Sequence, residues 1–365
     1  MKFQATRETL LRPVQAVMGV VERRQTMPIL SNVLLTAEGG ELKVTGTDLE
    51  VELVSSIPLD AAEDGDVTVP GRKLLDILKA LPDDAQLEVS LDKERLVIRS
   101  GKSRFTLSTL PAAEFPVIED INAQRRFDVP QGTLKTLIER TAFSMAQQDV
   151  RYYLNGLLLE LRGGTLRAVA TDGHRLALYD VPAETGEGAL QVIVPRKGVL
   201  ELQRLLADVE DAVTLELGSN HVRLAFGGLR FTSKLIDGRF PDYERVIPQG
   251  GDKEVVADRQ SLREALGRTA ILSNEKYRGI RLTLSPGVLA LQAHNPEQEE
   301  AEEELELDYN GGELEIGFNV TYLLDALGAI HGETVKLALS DSNSSCLIEE
   351  PGNPNARYVV MPMRL

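Results

Sequence analysis

The residues most able to do chemistry are few and scattered. Four histidines, His174, His221, His294 and His331, stand far apart, with no HExxH pair and no second cysteine to make a ligand set. Metal centres need such ligands at short spacing, so neither a metal nor any other cofactor is expected. No GxxxxGK[ST] loop is present to cradle phosphates. One cluster stands out, Thr171-Asp172-Gly173-His174-Arg175. An Asp close to a His is the pairing that general acid–base chemistry uses, so a hydrolase working through Asp172 and His174 is the enzymatic reading. A motif this short specifies little, and the pattern favours a turn or a binding surface. The acidic run from Glu297 to Glu306 reads as a solvated loop or a charge-matched interface rather than a metal site. Cys346, the single cysteine, rules out an internal disulfide, fits a reducing compartment and reads as a small apolar strand residue.

The elements that must position these residues belong to a chain of 365 residues. That is past the roughly 250–300 residues at which one core divides into domains. Hydrophobic residues make up 42% and charged residues 26%, ordinary for a globular protein. No run of about 18 apolar residues is present to span a membrane. The opening MKFQATRETLL has no apolar signal core, so a cytoplasmic location is expected. The net charge of −16 runs against nucleic-acid binding, which usually shows as a basic balance. Distribution matters more than the sum, since a basic surface can occupy one face of an acidic protein.

Three landmarks recur in the same order along the chain. The first is a strand ending in a polar turn: LKVTGTDLE from Leu42, LRAVATDGHRL from Leu166 and LALQAHNPEQE from Leu289. The second is a strand entering a helix: VPGRKLLDILKAL from Val69, VPRKGVLELQRLL from Val194 and FNVTYLLDALGAI from Phe318. The third is a late strand: RFTLSTLP from Arg104, RFTSKLID from Arg230 and YVVMPMRL from Tyr358. An offset of roughly 125 residues is a normal domain size. The repeat predicts three tandem domains of one fold, at 1–120, 127–248 and 254–365, with polar linkers around Asp120–Arg126 and Gln249–Glu254.

Each copy opens with a helical segment. In the first, Leu10, Val14, Val17 and Val21 fall on one helix face; the others start near Gly132 and Arg259. A second helix in each copy is equally amphipathic, with Leu74, Leu78 and Leu81 as one stripe. Short alternating runs lie between, so each domain reads as an α+β unit with helices on one sheet face. The helices' polar faces carry Arg7, Arg12, Arg23, Arg24, Arg72, Lys73 and Lys79 in copy one. Copy two carries Lys135, Arg140, Arg196, Lys197 and Arg204, and copy three Arg259, Arg263 and Arg268. A solvated face explains each helix taken singly. Taken together they suggest a surface that touches DNA phosphates without reading bases.

Longer motifs carry a resemblance. LPAAEFP (Leu110–Pro116), QDVRYYLNG (Gln148–Gly156), ATDGHRLA (Ala170–Ala177), FTSKLIDGRFPDY (Phe231–Tyr243), ILSNEKYRG (Ile271–Gly279), NPEQEEAEE (Asn295–Glu303) and the closing YVVMPMRL resemble the beta subunit of bacterial DNA polymerase III. The resemblance runs the whole chain in order. It implies three DNA-clamp domains per chain and a head-to-tail homodimer closed into a ring, with helices lining the bore and sheets outside. It also implies no catalytic activity. Geometry agrees on the dimer. Six helices spaced ~10 Å apart would leave a bore of roughly 9 Å, and twelve would leave ~28 Å. A duplex is about 20 Å across, so only the dimer encircles it with room for water.

The same resemblance implies the site residues. At the dimer interface Phe105 and Leu107 would pack on Ile271 and Leu272 of the neighbour, although from sequence alone these read as core. Arg95, Lys102 and Arg104 would face Glu299, Glu300, Glu302 and Glu303. A groove for partner peptides would take Leu154, Thr171, Gly173, His174, Arg175 and Leu176. To these it would add Pro241, Arg245, Val246 and Tyr322, then the tail Val359, Val360, Met361, Pro362, Met363, Arg364 and Leu365. A partner's flexible tail would insert a Leu or Phe anchor there. Duplex DNA would meet Arg24, Arg72, Gln148, Tyr152 and Tyr153, with Arg196 and Lys197. The two tyrosines would stack on single-stranded template, or else form a half-buried strand pair. Expected partners are the replicative polymerase, the clamp loader, and repair and translesion polymerases, with no membrane involved.

Overall fold

The computed structural model describes residues 1–365 except 23–25, 61 and 119. Three runs of the same elements follow one another. The first is β1 (Lys2–Thr6), α1 (Arg7–Val17), β2 (Asn32–Glu38), β3 (Glu41–Thr47), β4 (Val51–Pro58), β5 (Ala62–Glu63), β6 (Gly65–Pro70), α2 (Gly71–Ala80), β7 (Gln86–Asp92), β8 (Arg95–Ser100) and β9 (Ser103–Ser108). The second is β10 (Ala123–Pro130), α3 (Gln131–Glu139), β11 (Gly156–Arg162), β12 (Thr165–Thr171), β13 (Arg175–Pro182), β14 (Leu190–Pro195), α4 (Arg196–Leu205), β15 (Ala212–Gly218), β16 (His221–Phe226) and β17 (Leu229–Lys234). The third is β18 (Lys253–Asp258), α5 (Arg259–Thr269), β19 (Gly279–Ser285), β20 (Val288–His294), β21 (Glu300–Glu306), β22 (Leu314–Asn319), α6 (Val320–Ala329), β23 (Thr334–Leu339), β24 (Cys346–Glu350) and β25 (Asn353–Val360).

The three sequence landmarks fall on equivalent elements: β3, β12 and β20; the strand–helix steps into α2, α4 and α6; and β9, β17 and β25. Caps fix where several helices begin. Thr6 accepts from the Thr9 amide, Asp258 from Ser261 and Asn319 from Thr321, so the last strand residue satisfies a free amide of the first turn. α1 stops at Val17, directly before Met18-Gly19, so Val21, the last residue of the predicted stripe, lies beyond the helix. Glycine is a poor helix former, which accounts for the stop.

Each run begins with a strand, not a helix. The expected linkers at Asp120–Arg126 and Gln249–Glu254 are partly β10 and β18. Both are sheet-edge strands in which only two residues are buried, Phe127 and Val129 in one, Val255 and Ala257 in the other. An edge strand covered on one face and rich in charge looks like a linker in sequence.

The chain divides into two compact units. One comprises 1–133 and 200–235, the other 134–199 and 236–365. The first holds a five-stranded sheet, β5-β1-β7-β8-β9, and an eight-stranded sheet, β10-β15-β16-β17-β4-β3-β2-β6. The second holds an eight-stranded sheet, β14-β11-β12-β13-β25-β24-β23-β18, and a four-stranded sheet, β21-β20-β19-β22. Each eight-stranded sheet is a joint between runs. β17 pairs with β4 of the preceding run, and β25 pairs with β13 of the preceding run, both antiparallel. The register is the same: Glu52 opposes Thr232 in one joint, and Leu176 opposes Val359 in the other. In the second unit, α5 and α6 press Leu262, Leu266, Leu323 and Leu327 onto Ile280, Leu291 and Phe318. Burial of each such side chain contributes about 1.5–3 kcal/mol. Among the described residues no helix is long and apolar enough to cross a membrane.

The reading of Arg140 as part of a solvated basic face is corrected. Arg140 is buried just after α3, with Nη1 2.8 Å from Glu350 Oε2 and its guanidinium 4.9 Å above the Tyr179 ring. Glu350 also accepts from Asn353 Nδ2 (2.7 Å) and the Gly332 amide (2.6 Å). Burial alone would raise the Glu350 carboxyl, but the hydrogen bonds from Arg140 and Asn353 outweigh it and hold the group below its usual range. A depressed carboxylate contributes stability that is full above its unfolded value of about 4.3 and is lost as pH falls through the lower folded value. Arg140→Ala therefore leaves a buried charge unpaired and is expected to cost about 3–5 kcal/mol at neutral pH. Urea unfolding measured from pH 7 downward checks this: the gap between variant and wild type should narrow as the carboxyl protonates and close once pH has fallen through the depressed Glu350 value.

Candidate functional site

The Thr171–Arg175 run joins β12 to β13 as a tight turn. Asp172 Oδ1 accepts from the amides of His174 (2.9 Å) and Arg175 (3.0 Å). Thr171 Oγ1 donates to the Arg175 carbonyl (2.6 Å) and accepts from the Gly173 amide (3.1 Å). This is the way Asp and Thr side chains substitute for a backbone turn. Gly173 has φ +88°, a conformation that favours glycine, and a Cβ there would lie 2.9 Å from Arg151 Nη1, so that a side chain would make the Arg151 guanidinium shift. Arg175 is held on every side. Its Nε is 3.2 Å from Asp172 Oδ2 and its Nη1 2.5 Å from Asp325 Oδ2. The guanidinium lies 4.5 Å from the Tyr322 ring centre and 5.7 Å from that of Phe143. Asp172 is thus occupied by turn amides and by Arg175.

A cavity of 160 Å³ opens beside this turn. Leu154, Leu176, Pro241, Val246, Val359 and Met361 give it an apolar lining. Thr171, Gly173 and Arg175 complete one side, and Arg151, Tyr153 and Tyr243 complete the rest. Nine of the residues expected for a peptide groove are therefore brought together here. His174 and Tyr322 line a second cavity, of 350 Å³, which also contains Asp149, Asp172, Arg175 and Arg196. Arg245 is exposed and pairs locally with Asp242 at 2.7 Å. Val360 is buried in the core of the third run, and Pro362 is half-buried. Met363, Arg364 and Leu365 line a third cavity, of 460 Å³, with Tyr277, Arg281 and Asn295. The Met363 amide donates to the Gly317 carbonyl (2.8 Å), which ties the tail to β22.

Two lining residues, Arg151 and Tyr243, were not among the sequence candidates. Both sit inside the motifs QDVRYYLNG and FTSKLIDGRFPDY, but periodicity gives no sign of which motif residues face a cavity. Arg151 grips Asp149 through Nη2 (2.8 Å) and Nε (3.0 Å), and its amide adds a third bond (2.8 Å). Those bonds hold the Asp149 carboxyl down at about 2. Burial, then the bond to Glu160, pushes the Tyr243 phenol up to about 12.

Of the residues expected at DNA, Gln148 is exposed with φ +56°, and Tyr152 is 57% exposed. Tyr153 meets Tyr152 edge-on at 5.8 Å and also lines the 160 Å³ cavity. Arg196 and Lys197 are half-buried at the start of α4, Arg196 Nη1 reaching the Met145 carbonyl at 3.3 Å. Arg72 is exposed on α2 beside Asp76, at 3.2 Å. Arg24 lies outside the described residues. Of the expected interface residues, Phe105 is half-buried and Leu107 buried, both on β9. Leu272 is half-buried and Ile271 is 75% exposed, in the single turn Ala270–Leu272. Among the described residues no group of three or more His, Cys, Asp or Glu side chains is placed to hold a metal ion.

Comparison with known proteins bears on the whole chain. Residues 1–119, 128–242 and 244–364 match the N-terminal, central and C-terminal domain models of the DNA polymerase III beta subunit. The beta sliding clamp of Pseudomonas aeruginosa is 61% identical over 367 residues, and that of Escherichia coli (strain K12) 53% over 366, each covering 100% of both chains. The crystal structure of the Pseudomonas aeruginosa DNA polymerase III subunit beta covers 100% of both chains with a TM-score of 0.98. Three domain matches in order, over a fold of three tandem repeats, mean that this chain belongs to the family of bacterial DNA polymerase III beta subunits, the DNA sliding clamps.

Proposed function

We propose that this chain closes with a second copy of itself into a ring around duplex DNA, in the cytoplasm, and catalyses no reaction. Its domains run 1–120, 127–248 and 254–365. As a sliding clamp it has DNA and a DNA polymerase as partners. The replicative polymerase, the clamp loader, and repair and translesion polymerases take turns at the 160 Å³ cavity, each inserting an apolar anchor from a short flexible segment. Arg24, Arg72, Gln148, Arg196 and Lys197 meet phosphates, and Tyr152 and Tyr153 stack on exposed bases. Contacts to phosphate carry no sequence information, which suits a ring that must slide.

The observation that carries the ring is the joint left unmade. Two of the three repeats' late strands, β17 and β25, pair with the preceding run, while β9 and β21 each end a sheet. Their charges are opposite. β21 reads EAEEELE, with Glu302, Glu304 and Glu306 exposed along one face. On the other edge, Arg104 of β9 stands directly opposite Arg99 of β8, and Lys102 precedes it. Like charges opposed across a ladder are destabilising until a counter-charge arrives. A heterologous contact of this kind, made twice, closes a two-chain ring.

The internal joints predict the register. β9 and β17 share Arg-Phe-Thr (Arg104–Thr106 and Arg230–Thr232), and Glu300 holds the place in its hairpin that Glu52 and Leu176 hold in theirs. Thr106 is then expected opposite the partner subunit's Glu300, and Arg104 opposite the partner subunit's Glu302. Directly opposed residues lie about 4.5–5.5 Å apart, within disulfide reach. Oxidising the Thr106→Cys/Glu300→Cys variant should give a covalently closed dimer on a non-reducing gel. The one-residue slip control, Thr106→Cys/Ala301→Cys, should cross-link poorly; equal yields from both would reject the register. For the ring itself, protein loaded on nicked circular DNA should persist at high salt and run off once the circle is cut with a restriction enzyme. Equal dissociation from both forms would defeat topological binding.

A further inference from the structure

Four strands of the second run carry polar residues at directly opposed positions. Gln191 of β14 opposes Glu160 of β11, Glu160 opposes Arg167 of β12, and Arg167 opposes Asp180 of β13. The side chains connect in that order. Gln191 Nε2 donates to Glu160 Oε1 (2.9 Å), and Arg167 grips Asp180 through Nε and Nη2 (2.6 and 2.8 Å). Tyr243 bridges the middle: its hydroxyl donates to Glu160 Oε2 and accepts from Arg167 Nη1 (3.2 Å). Glu160 and Tyr243 are each 4% exposed. The ring of Tyr243 is also part of the cavity wall, with Pro241 and Val246 from the same segment.

The chain contains its own control. The same four positions in the first run are Asp66, Thr36, Lys43 and Ser56. In the third run they are Glu315, Thr283, Ala290 and Glu304. In neither run do all four positions carry the acid–base–acid pattern. Where the second run reads Phe-Pro-Asp-Tyr243, the first reads Phe-Pro-Val-Ile118. The sheet therefore forms twice without this ladder. A buried carboxylate is costly unless fully bonded, so its presence in one copy calls for a task particular to that copy. That copy is the one whose following segment walls the cavity.

We infer that the Gln191–Glu160–Arg167–Asp180 ladder, acting through Tyr243, fixes the Pro241–Val246 wall, so that Glu160 and Arg167 are positioning residues for the peptide the cavity takes. The inference rests on the cavity being the partner site. A pocket of 160 Å³ holds one or two side chains, so a small displacement of one wall changes most of its contacts. Bonds to a charged group are the strong ones, which makes the Tyr243–Glu160 contact the buried anchor of a segment held otherwise by the apolar side chains of Phe240 and Ile247 and by the exposed Glu244, which pairs with Arg162 (2.5 Å) and Arg167 (3.5 Å).

The test uses the full-length protein and a fluorescent synthetic peptide ending in Leu-Phe, with affinity read by anisotropy and wall order by amide hydrogen exchange at 241–247. Glu160→Ala and Tyr243→Phe should each weaken the peptide about tenfold, the scale of one lost charge-assisted bond. Exchange should speed up in the wall and not elsewhere. Glu160→Gln keeps one acceptor for the phenol but not the charge, and should recover part of the affinity that Glu160→Ala loses. Tyr243→Phe keeps the ring and carries the test if Glu160→Ala fails to fold. Wild-type affinity in both variants, while Leu176→Ala loses the peptide, would overturn the positioning role and leave the cavity reading intact. Wild-type affinity in Leu176→Ala as well would remove the cavity reading itself.

Discussion

An unpaired strand edge must find a partner, and the arrangement of this chain follows from that constraint. A row of free amides and carbonyls invites any passing strand. Here the second and third runs meet the problem by lending their late strands to the run before, β17 to β4 and β25 to β13. The sheets therefore cross the repeat boundaries. That is why the compact units cut through the second run, at residues 133, 199 and 235, rather than falling between repeats. A sheet shared by two runs is also why the cavity is built from distant segments: β13 brings Leu176, and the end of β25 brings Val359 and Met361.

Among the sheet edges, β9 and β21, where a third joint of this kind would form, are kept from the wrong partners by charge. Five glutamates among the seven residues of β21 make that strand a poor match for a second copy of itself, and Arg99 beside Arg104 does the same for β9. Only the unlike pairing relieves both, and an unlike pairing is directional. Direction turns edge-pairing, otherwise an aggregation hazard, into closure. The net charge of −16, which taken alone argues against a DNA protein, includes the five glutamates of this edge.

What could be read from sequence was what repeats with a strong period. The stripe of Leu74, Leu78 and Leu81 and the three strand-to-helix steps mark elements buried on one face, where hydrophobic spacing is enforced. The opening strands β10 and β18 escaped because each buries two side chains and shows charge on the other face. Arg140 escaped for the opposite reason. A basic residue after an amphipathic helix looks solvated, and its partner, Glu350, is 210 residues away. Within the candidate groove, Leu154, Leu176, Val359 and Met361 were legible through the family motifs, whereas Tyr243 and Arg151 depend on how separate segments meet.

The pair that looked most like an active site is best judged against its own repeat. Thr47-Asp48-Leu49-Glu50 in the first run makes the same turn as Thr171-Asp172-Gly173-His174 in the second. Asp48 Oδ1 accepts from the amides of Glu50 (2.9 Å) and Val51 (2.8 Å), and Thr47 Oγ1 donates to the Val51 carbonyl (3.0 Å). The aspartate does this work where no histidine follows, so its place beside His174 is owed to the turn and not to proton transfer. What differs is the third residue. Leu49 sits at φ +78°, a conformation that costs a non-glycine residue about 1–2 kcal/mol, while Gly173 sits at +88° without that cost. The turn geometry is thus imposed by the fold in both runs. In the second run, glycine leaves room for the Arg151 guanidinium beside the turn, on the wall of the cavity.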